Sequence, residues 1–439
     1  MAAPVTVLAA VRGAAETQVV LALGAPGSGA TVTRRCGDVV ELLAAAAAGA
    51  GAVAVISGDL PGLDREAVAR LHGAGVRVVA LADGLGGERL RALGVDAVLD
   101  GGPAAALGDG LLDAVRAAAD GPGDPEVPSP EDEPSPPPEG APAAPGRVVA
   151  VWGPVGAPGR TTVALELAAA LAGLGTSGRR GRGARHAPGP ERTDPRDVLL
   201  VDADTYGSSL AMRLGLLDDA PGLAAACRAA GQGTLDVPSL ARQSPLVAPG
   251  LRVLTGLTRS ARWPEVPASS LEVVLDRARE LASWTVVDTA APVEADEVLM
   301  YDTHAPQRNA ATLAALAAAD DVLVVGTADP VGIQRLVRAL EDLREAPVVV
   351  RTPSAVVVNR VRAAVAGARP EAAVREAMAR YAGLDDVVVV PDDAAGQDAA
   401  LLAGRALAEH APGSPVRVAV AALAERLRVP ERRLSEGVG

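Results

Sequence analysis

The segment GPVGAPGRTT, residues 153–162, follows the hydrophobic run RVVAVW and leads into VALELAAALAGLG. The order is strand, glycine-rich turn, helix. Gly153, Gly156 and Gly159 let main-chain N–H groups approach phosphate oxygens. The helix that follows, with Leu167, Leu171 and Leu174 on one stripe, points its positive dipole end at the same place. Thr161 stands where such a turn keeps a hydroxyl for Mg²⁺, and Arg160 where it usually keeps a lysine. Three other places carry chemistry. VLLVDADTYGSS ends a strand-like run with Asp202 and Asp204, WTVVDTA ends another with Asp288, and VVVNRV ends a third with Asn359. Acids at the carboxyl ends of parallel strands face the crevice where open α/β sheets bind ligands. An amide in that crevice can read a base edge. Each feature alone has a plainer reading, as an empty turn, a solvated acid or a helix cap. Together, at four strand ends in this order, they read as a Mg-nucleotide site.

Such residues need a sheet to hold them. Runs at RVVAVW, DVLLVDAD, LRVLTG, WTVVDTA, DVLVVGT, SAVVVNRV and DVVVVPDD are rich in β-branched residues, as strands buried on both faces of a parallel sheet are. A second alternating set lies earlier in the chain. VTVLAAV, AVAVIS, VRVVALA and AVLD read as strands, and DVVELLAAAAAGAG, REAVARLHGAG, GERLRALG and AALGDGLLDAVRAAA as helices. That alternation also implies a parallel sheet with helices on both faces. Between the two sets, residues 120–146 are proline-rich and acidic, a composition that cannot offset its ordering entropy and reads as an extended linker. The division is therefore 1–119, linker 120–146, and 147–439. A basic, glycine-rich insertion near 175–196 reads as a solvated loop or as a contact for nucleic acid or an acidic partner.

Composition sets limits. The chain has 439 residues, enough for two or three domains, and a net charge of -13, which argues against non-specific DNA binding by the whole chain. Two cysteines far apart suit a reducing cytoplasm and offer no metal or disulfide framework. No apolar run is long enough to cross a membrane, and the N-terminus lacks the basic region of a signal peptide. All 41 basic Lys/Arg residues are arginines, so Arg160 stands in a chain that avoids lysine throughout.

On these motifs the region from 147 to about 430 resembles the ParA/MinD family of P-loop ATPases. The early α/β region resembles a response-regulator receiver, although an unrelated doubly wound domain is the alternative. The receiver's phosphoacceptor position is Ser57 here, with Asp59 two residues later, and its paired acids are absent from VLAAVRG. The resemblance thus implies a flavodoxin-like, degenerate receiver fold without phosphorylation. The pairing of the two regions resembles CpaE/TadZ proteins, which localise pilus assembly machinery. It implies ATP and Mg²⁺ as cofactors, a homodimer, protein partners of a pilus or secretion assembly, no sequence-specific nucleic acid, and a cytoplasmic protein with at most peripheral membrane contact.

The family's loop, roughly K-G-G-x-G-K-T-T, falls on Val155, Gly156, Ala157, Pro158, Gly159, Arg160, Thr161 and Thr162. By that match Asp204 orients the attacking water, Asp202 lies near Mg²⁺, and Asp288 is the Walker B acid. The departures matter. Val155 cannot supply the lysine that reaches a partner's nucleotide. Arg160 keeps the charge of the second lysine in a bulkier, planar group. Pro158 removes an N–H donor. Losing the lysine threatens hydrolysis more than binding, because electrostatic stabilisation of the moving phosphoryl is most of what such a site supplies. The resemblance therefore implies ATP binding with weak or no hydrolysis. A working ATPase in a partitioning or positioning cycle and a nucleotide-free scaffold are the alternatives. Arg308 and Asn309 read as γ-phosphate sensors, dimer-face residues or a helix cap. The final amphipathic helix reads as packed on the sheet or lying on a membrane surface.

Overall fold

The computed structural model describes residues 3–82, 86–100, 107–120, 145–156, 158–175, 197–216, 221–294 and 306–428. Ala157, residues 121–144 of the acidic segment and residues 176–196 of the basic insertion lie outside the described residues. The chain divides into two compact units, Met1–Ala144 with Arg228–Leu235, and Pro145–Cys227 with Asp236–Gly439.

In the first unit, β1 (Val5–Ala10), β2 (Ala30–Arg35), β3 (Val53–Ser57), β4 (Arg77–Ala82) and β5 (Ala97–Asp100) form a parallel sheet in the order β2-β1-β3-β4-β5. This is one of the two common orders of doubly wound sheets. Alternation along each strand builds two cores. Val7, Val53, Val55 and Val79 pack on one face with Val19, Leu23, Leu111 and Val115. Leu8, Ala54, Ile56 and Val78 pack on the other with Leu42, Val68 and Leu71. Asp38 and Asp64 accept hydrogen bonds from the Glu41 and Ala67 amides, which fixes the starts of helices Val39–Ala47 and Arg65–Gly73. Helix Ala14–Leu23 and β2 are additions to the sequence reading. Beyond Ala30, β2 has no buried residue and so lacks a hydrophobic run, and the helix buries only Val19 and Leu23.

In the second unit, β6 (Arg147–Trp152), β7 (Val198–Ala203), β8 (Leu246–Ala248), β9 (Leu251–Leu254), β10 (Trp284–Thr289), β11 (Asp321–Thr327), β12 (Ala355–Val361) and β13 (Val388–Pro391) form one sheet. The order is β13-β12-β11-β6-β10-β7-β9-β8, and only the β8–β9 pair is antiparallel. The strands read from the sequence are all present, and the three-residue β8 is the addition. Strand β6 lies between β10 and β11. The turn leaving it therefore opens onto the carboxyl ends of β7, β10, β11 and β12.

Helix Arg160–Leu171 is buried on more than its leucine stripe, from Thr162 to Ala169 and again at Leu171. The final helix, Pro415–Arg428, covers it: Val416, Val420, Leu423, Ala424 and Leu427 join the same core as Val163 and Leu167. Arg428 donates to the carbonyls of Ala170 and Leu171 at 3.2 and 2.8 Å and caps the helix's carboxyl end. The apolar face of the final helix is thus spent inside the fold, which is the packing reading and not the membrane one. Among the described residues no helix is long and apolar enough to cross a membrane.

Candidate functional site

The glycine-rich turn is held by contacts that require glycine. A Cβ on Gly153 would collide with the Val325 carbonyl oxygen of β11, and one on Gly159 with the Asn359 amide. Gly156 and Gly159 have φ of 108° and 99°, a left-handed conformation that side chains resist. Gly159 is the N-cap of helix Arg160–Leu171 and brings no side-chain oxygen to its first amides. Those N–H groups have no intrahelical partner and are free for an anion. Ala157, expected in the cradle, lies outside the described residues.

Asp288 sits at the floor. In register it pairs with Asp202 across β10 and β7, and with Val151 across β10 and β6. It is 1% exposed, and among the described residues neither carboxylate oxygen accepts a hydrogen bond of good geometry. Burial pushes its pKa well up, and the charge of Asp202 pushes the same way. The Thr161 hydroxyl beside it pulls down without closing a geometrically sound bond, Asp204 pushes up, and Arg160 pulls down. A buried carboxylate in this state must be protonated or face a cation. Oxygen ligands from an acid and a hydroxyl suit Mg²⁺, which keeps waters and takes phosphate oxygens for its other positions. Among the described residues no three His, Cys, Asp or Glu side chains converge as a metal set, so any ion here would bring its remaining ligands with it.

Asp202, expected near Mg²⁺, pairs in register with Asp288 and has its oxygens engaged by the main chain. Its Oδ2 accepts from the Ser209 and Leu210 amides, both at 3.0 Å, and its Oδ1 from the Asp204 amide at 3.3 Å. The carboxylate is committed to the main chain at the start of helix Leu210–Arg213. Burial raises its pKa to about 6; the Leu210 amide opposes and the nearby Asp204 charge adds.

Asp204 lies where its loop turns. Its Oδ1 accepts from the Tyr206 and Gly207 amides at 2.9 Å, and its Oδ2 faces Arg160 Nη2 at 3.6 Å. The Arg160 guanidinium is anchored as well. Its Nε donates to Thr289 O at 3.1 Å, and its Nη1 donates to Gly153 O at 3.1 Å and Pro154 O at 2.9 Å. Arginine at this position therefore lies across the loop's own carbonyls and against the acid expected to orient water. A lysine has no planar fork with which to make this set of bonds.

Asn359 does not read a base in this arrangement. Its Nδ2 donates to Pro158 O at 2.8 Å, and its Oδ1 accepts from the Arg360 amide. The Nδ2 end ties β12 to the glycine-rich turn, and the Oδ1 end is engaged by its own strand. Asn309 corrects another reading. It precedes helix Ala310–Ala318 but does not cap it through its side chain, which donates to Glu294 O instead. Arg308 stacks on the Tyr206 ring, its guanidinium carbon 4.1 Å from the centroid, so it is placed on the loop that carries Asp204.

No protein-family model matches the chain, and a search of curated proteins finds no match. Solved structures of MinD and ParA ATPases resemble it. The cell division ATPase MinD of Pyrococcus furiosus matches at 19% identity and a TM-score of 0.46, over 64% of this chain and 98% of that one. The ParA family ATPase of Chlorobium tepidum matches at 17% identity and a TM-score of 0.49, over 64% and 98%. The McdA(D38A)–ATP complex of Cyanothece matches at 17% identity and a TM-score of 0.46, over 65% and 97%.

Sequence reasoning missed two residues at this loop. Arg335, on helix Pro330–Arg344, and Arg360, directly after Asn359, line the outer flank of the turn with Val155 and Gly156. In an arginine-rich chain nothing in their spacing separates them from solvated charges.

Proposed function

We propose that residues 147–439 hold a Mg-nucleotide and hydrolyse it weakly or not at all, and that the chain works as a CpaE/TadZ-like localisation factor for pilus or secretion machinery. The observation that carries the nucleotide reading is Asp288, a fully buried carboxylate without a hydrogen bond at the foot of a glycine-rich βα turn. ATP would lay its phosphates on the amides around Gly156, Gly159, Thr161 and Thr162. Mg²⁺, which neutralises phosphate charge when bound, would be held by Thr161 with Asp288 behind it. Asp202 keeps the Asp204 loop in place through the main chain. The weak-hydrolysis reading is supported by Arg160, whose guanidinium is bonded to three carbonyls and faces Asp204.

The receiver-like reading of residues 1–119 is supported by the strand order β2-β1-β3-β4-β5. Its loops offer little for phosphoryl chemistry. Ser57 Oγ accepts from the Arg12 amide at 2.8 Å, and Asp59 pairs with the Arg12 side chain at 3.2 Å in an exposed ion pair. We assign residues 120–146 as a linker, ATP as the ligand, a second copy and envelope-assembly proteins as partners, and the cytoplasm as the compartment. Equilibrium binding of Mg-ATP to the full chain tests the reading. Saturable binding that needs Mg²⁺ and is lost in Asp288→Asn supports it. No binding near millimolar ATP leaves a scaffold without nucleotide.

A further inference from the structure

The outer flank of the glycine-rich turn carries a small cleft whose arginines the nucleotide reading does not use. It measures about 150 Å³ and is lined by Val155 and Gly156 of the turn, Asp329 and Arg335 of the β11–helix connection and its helix, and Arg360 and Arg362 at the end of β12. That volume is below the range of pockets that enclose whole drug-sized ligands. It suits a single small group.

The charges there are lopsided. Three arginines and one aspartate line it. Asp329 is already occupied, accepting from the Thr327 hydroxyl at 2.7 Å and the Gly332 amide at 3.0 Å as the N-cap of helix Pro330–Arg344. Arg362 reaches Asp392 at a loose 3.4 Å. Arg335 and Arg360 make no side-chain hydrogen bond or ion pair among the described residues. Arg335 and Arg360 thus bring positive charge to the cleft without a carboxylate partner among the described residues.

Two features of the structure place them at the cleft. Arg360 has φ 58°, the only positive value for a non-glycine among the described residues. It lies where the β12–β13 register shifts between Val358 and Val361, and bulges of this kind re-aim side chains beside functional sites. Arg335 presses its Nη1 so near Gly156 that any Cβ there would collide with it. Glycine at 156 lets Arg335 lie against the turn, and a Cβ there would displace the movable end of that side chain.

We propose that this cleft is a second oxyanion site, built to take one phosphoryl group between Arg335 and Arg360. Guanidinium forks match phosphate oxygens in pairs, and the cleft's size admits one such group. The phosphate could come from the tail of a nucleotide lying on the same turn or from a separate phosphate-bearing ligand, and the site's chemistry is the same for both. The inference does not depend on hydrolysis or on the pilus reading.

The test uses the full chain with inorganic phosphate, pyrophosphate and Mg-ATP, read by calorimetry. Pyrophosphate is expected to bind wild type at two sites. Arg335→Gln and Arg360→Asn each leave one, and Arg160→Ala leaves the other; asparagine is chosen because it tolerates the left-handed backbone at 360. Arg335→Lys, which keeps charge, restores at least half of the affinity that Arg335→Gln loses, with all variants melting within a few degrees of wild type. If Arg335→Gln also weakens Mg-ATP by tenfold or more, the group is the nucleotide's tail; if Mg-ATP is unaffected, it is a separate ligand. A single pyrophosphate site that Arg160→Ala removes and Arg335→Gln leaves intact overturns the proposal. Loss of Mg-ATP binding in wild type, with the Arg335-dependent site retained, would instead sink the nucleotide reading and leave this site standing.

Discussion

Arg160 Nη2 stands 3.6 Å from Asp204 Oδ2, with both side chains largely buried. The cation expected to grip the terminal phosphate and the acid expected to orient water are thus turned toward each other. The carbonyls of Gly153, Pro154 and Thr289 hold the guanidinium in that pose. An ion pair shielded from solvent is lost only when something better replaces it. Phosphate oxygens can compete for the guanidinium, but doing so separates Arg160 from several acceptors at once. The Arg160→Lys variant frees those acceptors and offers a compact ammonium. Its phosphate-release rate is expected to exceed that of wild type by at least about tenfold, a barrier change of roughly 1.4 kcal/mol. A lysine variant no faster than wild type would show that arginine is not what restrains turnover.

On the Mg-nucleotide reading, Asp288 would link metal binding to protons. Its folded pKa is raised by burial first and by Asp202 next, and that of Asp202 reaches about 6. A raised acid holds its proton more tightly folded than unfolded. Its contribution to stability is therefore full below the unfolded value near 3.9 and is lost as pH rises through the folded pKa. On the same reading Mg²⁺ would displace that proton, so Mg-nucleotide affinity is expected to climb as pH rises, with proton release seen as a buffer-dependent binding enthalpy. Asp288→Asn should melt higher than wild type near pH 7, by about 1–3 kcal/mol of stability, while losing Mg-ATP binding. A destabilised Asp288→Asn protein would mean the carboxylate already has a partner.

The frame of the second unit was legible because β-branched runs buried on both faces have no other reading, and each strand end kept its polar residue. Asp288 and Asp204 stand at the strand ends where that reading put them. What the sequence did not show were directions. Asp202 alternates with Asp204 along β7 as a site acid would, yet its oxygens turn to the Ser209 and Leu210 amides. Asn359 stands at a strand end but ties down Pro158 O, because the register shift beside it aims the amide at the turn. Neither a cap formed seven residues downstream nor a bulge leaves a mark in residue types. In the first unit β2 escaped notice for the opposite reason, since beyond Ala30 its residues are half-buried or exposed.

Asn359 makes a separate prediction. Removing the amide leaves Pro158 O and the Arg360 amide without their bonds, and unsatisfied buried groups cost about 1–3 kcal/mol. Asn359→Ala should lose that much stability in urea titrations and weaken Mg-ATP by loosening the turn. Asn359→Asp, which still accepts from Arg360 but cannot donate to Pro158, should loosen the turn as well. Full affinity in both would return Asn359 to a role unconnected with the loop.

Glu166 gives a pH test away from the nucleotide. It is buried in the helix that starts at Arg160 and accepts from the Leu407 and Ala408 amides at 2.8 and 3.3 Å. Burial, opposed by those amides, raises its pKa from 4.5 to about 7. The folded state therefore binds its proton more tightly, and stability should fall between pH 4.5 and 7 by about 3 kcal/mol at most, then level off. Denaturant midpoints across that range check this. Glu166→Gln should flatten the slope; an unchanged slope would assign it to other groups.

The central claim is that this turn keeps a nucleotide without consuming it, and one paired measurement bears on it most directly. Mg-ATP binding and phosphate release are followed on the same preparation of the full chain, with Arg160→Ala and Asp204→Ala alongside. Saturable binding is expected in wild type, with phosphate release no greater than that of either variant. Steady release in wild type that both substitutions abolish would contradict the claim and identify a working ATPase with an arginine-adapted loop.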